Sequence, residues 1–334
     1  RPENILAITF TNKAAKEMKE RIYDLVGSRA ENIWISTFHS TCVRILRREI
    51  EKIGFTRNFV IYDADDQLAL IKDCIRELNL SEKYFDAKDM RYRIGELKDQ
   101  IKSPEDYRKE VQGQYREEKI ADIYKLYQDK LVKNNALDFD DLINRTLELF
   151  YLRPDVLDYY SSKFQYILVD EYQDTNYAQY MLVKLLSMKH QNLCVVGDDD
   201  QSIYGWRGAD VRNILEFEKD FPNTKVIKLE ENYRSTQTIL DAANEVISNN
   251  TGRKEKRLWT QKGQGEKIIV YKVSDERQEA DIICQHIHKH IVSDNKNPGD
   301  FAILYRTNAQ SRAIEDALMR YGIPYRIYGG LRFY

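Results

Sequence analysis

Apolar positions along the chain fall into two alternating patterns. Short apolar runs at Ile5–Phe10, Ile33–Thr37, Tyr166–Asp170, Leu193–Gly197 and Val226–Leu229 predict strands. Between them, apolar residues recur at helical spacing. Ala14, Ala15, Met18, Ile22 and Leu25 follow the first run, and Cys42–Ile53, Ala178–Met188 and Thr236–Ser248 read as further helices. Strands alternating with helices in this way predict parallel α/β sheets. Between about residues 60 and 136 the strand runs vanish and charged helical patterns replace them, as at Leu68–Leu78 and Ile120–Val132. This stretch is expected to be a helical domain inserted into the first α/β domain. A second α/β series starts near Gly265, with strands expected at Ile268–Val273 and Phe301–Tyr305 and helices over Glu279–Ile291 and Gln310–Tyr321. Thr251–Gly265, basic and glycine-bearing, reads as a loop. The chain shows no internal repeat and no low-complexity tract.

The expected organisation is therefore a first α/β domain at 1–59 and 137–231, a helical insertion at 60–136, and the start of a second α/β domain at 232–334. A length of 334 residues suits two or three domains. With 42% hydrophobic and 32% charged residues, the chain is neither disordered nor a membrane protein. No apolar run approaches the roughly 20 residues of a membrane span. The net charge of −2 excludes a generally basic surface, so any polyanion site must be a local patch. Tyr (23) outnumbers Phe (12), which suits half-exposed packing surfaces. Cys42, Cys74, Cys194 and Cys284 lack metal-ligand spacing and read as buried thiols of a reducing compartment, hence a cytoplasmic protein. The start at Arg1 and the uncapped Gly329–Tyr334 run read as the ends of a piece of a longer chain.

Three stretches carry candidate chemistry. The first is Tyr166-Ile167-Leu168-Val169-Asp170-Glu171-Tyr172-Gln173-Asp174, an apolar run ending in adjacent acids. Ligands bind at the carboxyl edge of parallel sheets, so Asp170 is a candidate for holding Mg²⁺ on a nucleotide and Glu171 for activating a water at the γ-phosphate. A solvated acidic turn explains Asp-Glu alone equally well. The second is Val195-Val196-Gly197-Asp198-Asp199-Asp200-Gln201-Ser202-Ile203-Tyr204-Gly205-Trp206-Arg207. Here Gln201 can hydrogen-bond a γ-phosphate, and Tyr204 and Trp206 can offer π-faces to unstacked bases. A packed core is a poor alternative for a Gly-flanked Trp beside charges. The third is Asn232-Tyr233-Arg234-Ser235-Thr236, where Arg234 could serve as an arginine finger. An ordinary Arg near a capped helix start explains that stretch more simply when it is taken alone.

Together these stretches resemble the superfamily 1A DNA helicases, the UvrD/Rep/PcrA group, with the PcrA branch as the nearest pattern. The resemblance runs over essentially the whole chain. Ala7–Ala15 looks like motif Ia, Trp34–Ser40 like motif Ib, and Leu137–Leu142 like the motif that closes the inserted domain. The Asp170-Glu171 stretch looks like Walker B, Gln201–Arg207 like motif III, Asn232–Ser235 like motif IV, and Tyr305–Asn308 like the next motif. The fold implied is a RecA-like nucleotide-driven motor domain with a helical insertion, followed by part of a second motor domain. The function implied is ATP- and Mg²⁺-dependent 3′→5′ translocation on single-stranded DNA, with unwinding of duplex junctions in repair and replication. Repair or replication proteins are the implied partners, at the bacterial nucleoid and away from membranes. Asp170 would hold the metal, Glu171 would be the base, Tyr233 would stack on adenine, Arg234 would touch the γ-phosphate, and Gln201 would couple phosphate to DNA. Phe10, Phe139, Tyr204 and Trp206 would form base pockets, and Thr37, His39, Arg207 and Asn308 would contact the strand. For His39 a helix-start role is an even alternative.

The chain departs from the family pattern in two ways. No G-x-x-x-x-G-K-[ST] phosphate loop occurs in it, and the later family motifs are absent. These 334 residues alone are therefore expected not to hydrolyse ATP, and their first sheet is expected to show an unpaired edge or gap. Two other functions fit the same residues. One is the helicase subunit of a helicase–nuclease complex, and the other is a non-catalytic single-stranded-DNA-binding fragment of the same fold.

Overall fold

In the computed structural model, residues 1–328 are described, so the Gly329–Tyr334 run lies outside the described residues. The chain divides into two compact units: Arg1–Glu231 with Ala243–Leu258, and Asn232–Ala242 with Trp259–Tyr334.

The first unit begins with β1 (Ile5–Thr9), whose residues from Leu6 onward are buried, as a parallel strand covered on both faces requires. Helix α1 (Asn12–Val26) starts where the Thr11 hydroxyl accepts the Ala14 N–H at 3.0 Å. β2 (Trp34–Thr37) runs into α2 (Phe38–Glu49), capped in the same way by Thr37, whose hydroxyl accepts the Ser40 N–H at 3.2 Å. Strand-end threonines thus turn the chain from extended to helical at the carboxyl edge of the sheet.

The insertion opens at β3 (Val60–Ile61) and contains α3 (Ala64–Glu77), α4 (Ala87–Asp99), α5 (Pro104–Glu110) and α6 (Tyr115–Lys133). It returns at β4 (Ala136–Leu137), which pairs with β3 in parallel. The sequence pattern shows no strand signal here, because a two-residue bridge has no period to detect. Asn135, at φ 48°, stitches the two ends: its Oδ1 accepts the Thr56 N–H at 2.9 Å and its Nδ2 donates to Thr56 Oγ1 at 2.7 Å. The insertion has its own core, centred on Ile71, Met90, Ile120 and Tyr127, separate from that of the sheet.

After α7 (Phe139–Leu152) and α8 (Pro154–Lys163) the chain re-enters the sheet as β5 (Tyr166–Val169), then α9 (Tyr177–Ser187) and β6 (Leu193–Val195). Two short helices follow, α10 (Arg212–Leu215) and α11 (Phe217–Asp220). The sheet order is β2-β1-β5-β6, parallel throughout. Of the two expected outcomes, edge or gap, no gap lies within the sheet, since Ile167, Leu168 and Val169 of β5 register directly with Leu193, Cys194 and Val195. The sheet has edge strands at β2 and β6. Cys194 corrects the reading of four buried thiols, because its place on the edge strand β6 leaves it exposed while the other three are buried.

α12 (Gln237–Ile247), α13 (Glu276–Asp294) and α14 (Ser311–Arg320) follow. In the second unit α13 packs on α14 around Cys284, Ile287, Ile314 and Leu318. Val226–Leu229, Ile268–Val273 and Phe301–Tyr305, expected as strands, are not strands among the described residues. A strand needs a hydrogen-bonded neighbour as well as apolar side chains. These segments have no ladder, and Leu304 is left 94% exposed. By its packing Ala243–Leu258 groups with the first unit. Its basic loop is held by the carboxylates of Asp198, Asp199 and Asp200.

Candidate nucleotide and nucleic-acid site

At the carboxyl end of β5 the chain breaks from the sheet at Asp170. Its N–H still donates to Ile8 O at 2.9 Å, while its Oδ1 accepts the Glu171 N–H at 3.0 Å. Glu171 takes the left-handed conformation, φ 54° and ψ 38°. This is a costly backbone for a non-glycine residue and a recurrent one at functional turns. The Tyr172 N–H donates to Val196 O at 2.9 Å and fixes the turn against the end of β6.

Burial, and then the neighbouring Glu171 charge, raises the Asp170 pKa. The same two causes, in the same order, raise that of Asp174. Asp174 Oδ1 is buried without a hydrogen-bond partner. The Asp170 carboxylate is a hard-oxygen group of the kind that suits Mg²⁺. Among the described residues no group of three or more His, Cys, Asp or Glu is close enough to cage a metal by itself.

The end of β6 supplies the second turn. Gln201 donates through Nε2 to Asp198 Oδ2 at 2.8 Å. Asp198, Asp199 and Asp200 would repel any phosphate, but two cations of the loop after α12 offset most of their charge. Arg253 makes a paired contact with Asp200 at 2.7 and 2.6 Å, and Lys256 Nζ reaches Asp198, Asp199 and Asp200 at 2.5, 3.2 and 2.9 Å. Sequence reasoning missed this clamp. Two charge runs more than 50 residues apart give no local sign that they meet.

Two aromatic clusters stand on the first unit. In one, Phe10 follows β1 and meets Phe38 edge-on at 5.4 Å, while His39 meets Phe139 edge-on at 5.7 Å. Phe139 is 49% exposed, and burial lowers the His39 pKa, favouring the neutral ring. Thr37 is buried, its hydroxyl engaged as the cap of α2. In the other cluster Tyr204 and Trp206 lie 6.4 Å apart, with the Arg207 guanidinium 4.5 Å from the Trp206 centroid and 5.3 Å from that of Tyr204. Helix α4 of the insertion supports this loop, since the Tyr92 hydroxyl donates to Trp206 O at 3.2 Å.

Tyr233, Arg234 and Asn308 belong to the second unit. The Asn232 side chain shapes the Tyr233–Arg234 turn by accepting the Arg234 and Ser235 N–H groups at 3.0 and 2.8 Å. Gly265, at φ 72°, lets the following loop approach Thr236, where a Cβ would fall 2.4 Å from Thr236 Oγ1. Asn308 opens a short turn capped by Thr307 and Gln310.

A parallel α/β sheet with paired acids at its carboxyl edge and exposed aromatic and cationic groups on its loops is the architecture of a RecA-like domain. The chain belongs to the UvrD/Rep helicase family: residues 1–222 match the UvrD/REP helicase N-terminal domain and residues 227–334 the UvrD-like helicase C-terminal domain. Domains of this family are RecA-like superfamily 1 motors. The chain is 56% identical over 333 residues to the ATP-dependent DNA helicase PcrA of Bacillus subtilis (strain 168), and equally to those of Staphylococcus aureus (strain Mu50 / ATCC 700699) and Staphylococcus epidermidis (RP62A). Each match covers 100% of this chain and 45% of the relative, so the chain spans about half the length of these curated relatives. Among the described residues no helix is long and apolar enough to cross a membrane.

Proposed function

We propose that this chain forms part of an ATP-dependent DNA helicase that translocates 3′→5′ along single-stranded DNA and opens duplex junctions during repair and replication. The observation that carries the reading is the Asp170–Glu171 turn, strained at Glu171 and buttressed by the turn that bears Gln201. Asp170 would hold Mg²⁺, which when bound neutralises charge on the phosphate oxygens. Glu171 orients the attacking water and takes its proton. Gln201 reports the γ-phosphate to the adjoining Tyr204–Arg207 loop. Tyr233 stacks on the adenine, and Arg234 stabilises charge on the transferring phosphate.

Phe10, Phe139, Tyr204 and Trp206 offer stacking faces to successive bases, and Arg207 supplies cation–π and phosphate contacts. His39 contacts the strand, as does Asn308 on the second unit, while Thr37, buried and capping α2, acts only by setting the helix start that carries His39. His39 acts as a neutral hydrogen-bonding ring, since its proton affinity is lowered by burial. Repair and replication proteins as partners, and a cytoplasmic, nucleoid-associated location, follow from the same reading.

The test is Glu171→Gln in the full-length protein. ATP binding should persist while DNA-stimulated turnover falls by roughly 10²–10⁴-fold, the usual contribution of general base catalysis. Near-normal turnover would remove Glu171 from the chemistry.

A further inference from the structure

One buried amide joins the two turns at the carboxyl edge of the sheet. Gln173 Oε1 accepts the Asp198 N–H at 3.0 Å, and Gln173 Nε2 donates to Glu171 Oε2 at 2.8 Å. The orientation of this amide follows from chemistry. A backbone N–H can only donate, so the carbonyl end must face Asp198 and the NH₂ end must face the carboxylate. Gln173 is 1% exposed. It is also closely packed, for a Cβ on Gly197 would fall 2.5 Å from Gln173 Oε1. The backbone of Gln173 takes part as well, its carbonyl accepting the Ser202 hydroxyl at 3.3 Å. Beyond Asp198, the next hydrogen bond is the one from Gln201 Nε2 to Asp198 Oδ2 at 2.8 Å. Glu171, Gln173, Asp198 and Gln201 therefore form a continuous hydrogen-bonded series across the ends of β5 and β6.

We infer that Gln173 is a positioning residue for the Glu171 carboxylate, and the link through which the Gln201 turn acts on it. The inference deepens the hydrolysis reading above and rests on it. A glutamate that must aim one oxygen at a water has three side-chain torsions to restrain. Holding Oε2 with a buried donor restrains them and leaves Oε1 for the water. A displacement of the Asp198 backbone carries the Gln173 amide with it, and the Glu171 carboxylate follows. A phosphate or DNA contact at the Gln201 turn thereby alters the aim of the base without touching it.

The test uses the full-length protein with Gln173→Glu and Gln173→Met. Gln173→Glu keeps the length and the acceptor for the Asp198 N–H but sets a carboxylate against Glu171. Gln173→Met fills the same space with no donor. In both, kcat for DNA-stimulated ATP hydrolysis should fall roughly 10- to 100-fold, the scale of a misplaced reacting group. KM for ATP and affinity for a labelled oligo-dT strand should hold, while the thermal midpoint should drop by the cost of one unpaired buried group and stay above the assay temperature. In single-turnover quench experiments, adding Gln173→Met to Glu171→Gln should slow hydrolysis no further, because the two residues act as one unit.

Wild-type kcat in folded Gln173→Glu would overturn the inference. So would an equal loss from Gln173→Met with and without Glu171→Gln, or a loss confined to KM. If the unsubstituted protein shows no DNA-stimulated hydrolysis, the underlying reading and this inference fall together. If it hydrolyses ATP and the Gln173 variants match it, only the role of Gln173 falls.

Discussion

Trp206 keeps an indole 61% exposed at the tip of a loop, its electron-rich face already attended by the Arg207 guanidinium. A large ring left in water carries a hydration cost that a stacked base removes, and any base has a face to offer. Trp206→Ala should therefore weaken single-strand binding by about 1–3 kcal/mol with no sequence preference. Fluorescence anisotropy on oligo-dT and oligo-dA measures this, and unchanged affinity for both would remove Trp206 from the strand path. Glu171 shows a second property of single residues, since it holds a left-handed backbone that its own side chain disfavours. Such a conformation persists only because the bonds from Tyr172 to Val196 and from Asp170 to Ile8 hold both sides of it.

Between elements, the insertion is tied to the sheet domain by a buried charge cluster. Lys98, at the end of α4, places Nζ 2.7 Å from Asp138 Oδ2 and 2.8 Å from Asp141 Oδ1, with all three side chains nearly inaccessible. Burial works against the ammonium, yet the two carboxylates outweigh it and hold the Lys98 pKa up. Tyr127 of α6 donates to the same Asp138 oxygen at 2.8 Å. Asp138 and Asp141 also form the capping box of α7, whose first residue is Phe139. The cluster thus sets where the Phe139 ring emerges. Lys98→Met would leave two buried carboxylates uncompensated and should cost about 3–5 kcal/mol. Urea unfolding of the chain checks this, and coincident midpoints for wild type and variant would show that the cluster adds no net stability.

For the whole molecule, the stability of the first unit should depend on pH through Asp99. This residue ends α4, accepts a hydrogen bond from Asn176 Nδ2 and lies under Gly208 of the Trp206 loop. Burial raises its pKa to about 7, with the Asn176 hydrogen bond opposing and the Glu96 charge adding. A folded-state value above the unfolded one, which is near 4, means that the folded chain holds this proton more tightly. The stabilisation is complete below about pH 4 and is lost as pH rises through about 7. Asp99→Asn keeps the acceptor for Asn176 but cannot ionise. It should raise the thermal midpoint over wild type at pH 8, by a margin that shrinks toward pH 4. A margin independent of pH would mean that Asp99 does not titrate in this range.

Much of this protein was legible in its sequence because the information is local. The strands β1, β2, β5 and β6 announce themselves by short apolar runs, and α1, α2, α9, α13 and α14 by helical spacing, each within a residue or a few of the observed ends. The Asp170-Glu171 and Gln201–Arg207 stretches stand out by residue type, acids closing an apolar run and aromatics beside an arginine. Tertiary structure alone decided the rest, because it depends on what distant segments bring to one place. Val226–Leu229, Ile268–Val273 and Phe301–Tyr305 carry strand composition, but a ladder needs a neighbour and none of them has one among the described residues. The two-residue pairing of β3 with β4, joining residues 76 apart, has no periodicity to reveal it. The clamp of Arg253 and Lys256 on the three aspartates, the burial of Lys98 between two acids, and the reach of Gln173 from Glu171 to Asp198 all join groups whose own neighbours in sequence say nothing of the partner. Composition and period record which face of an element seeks the interior. Only packing determines which charges, amides and rings share that interior once the chain has closed.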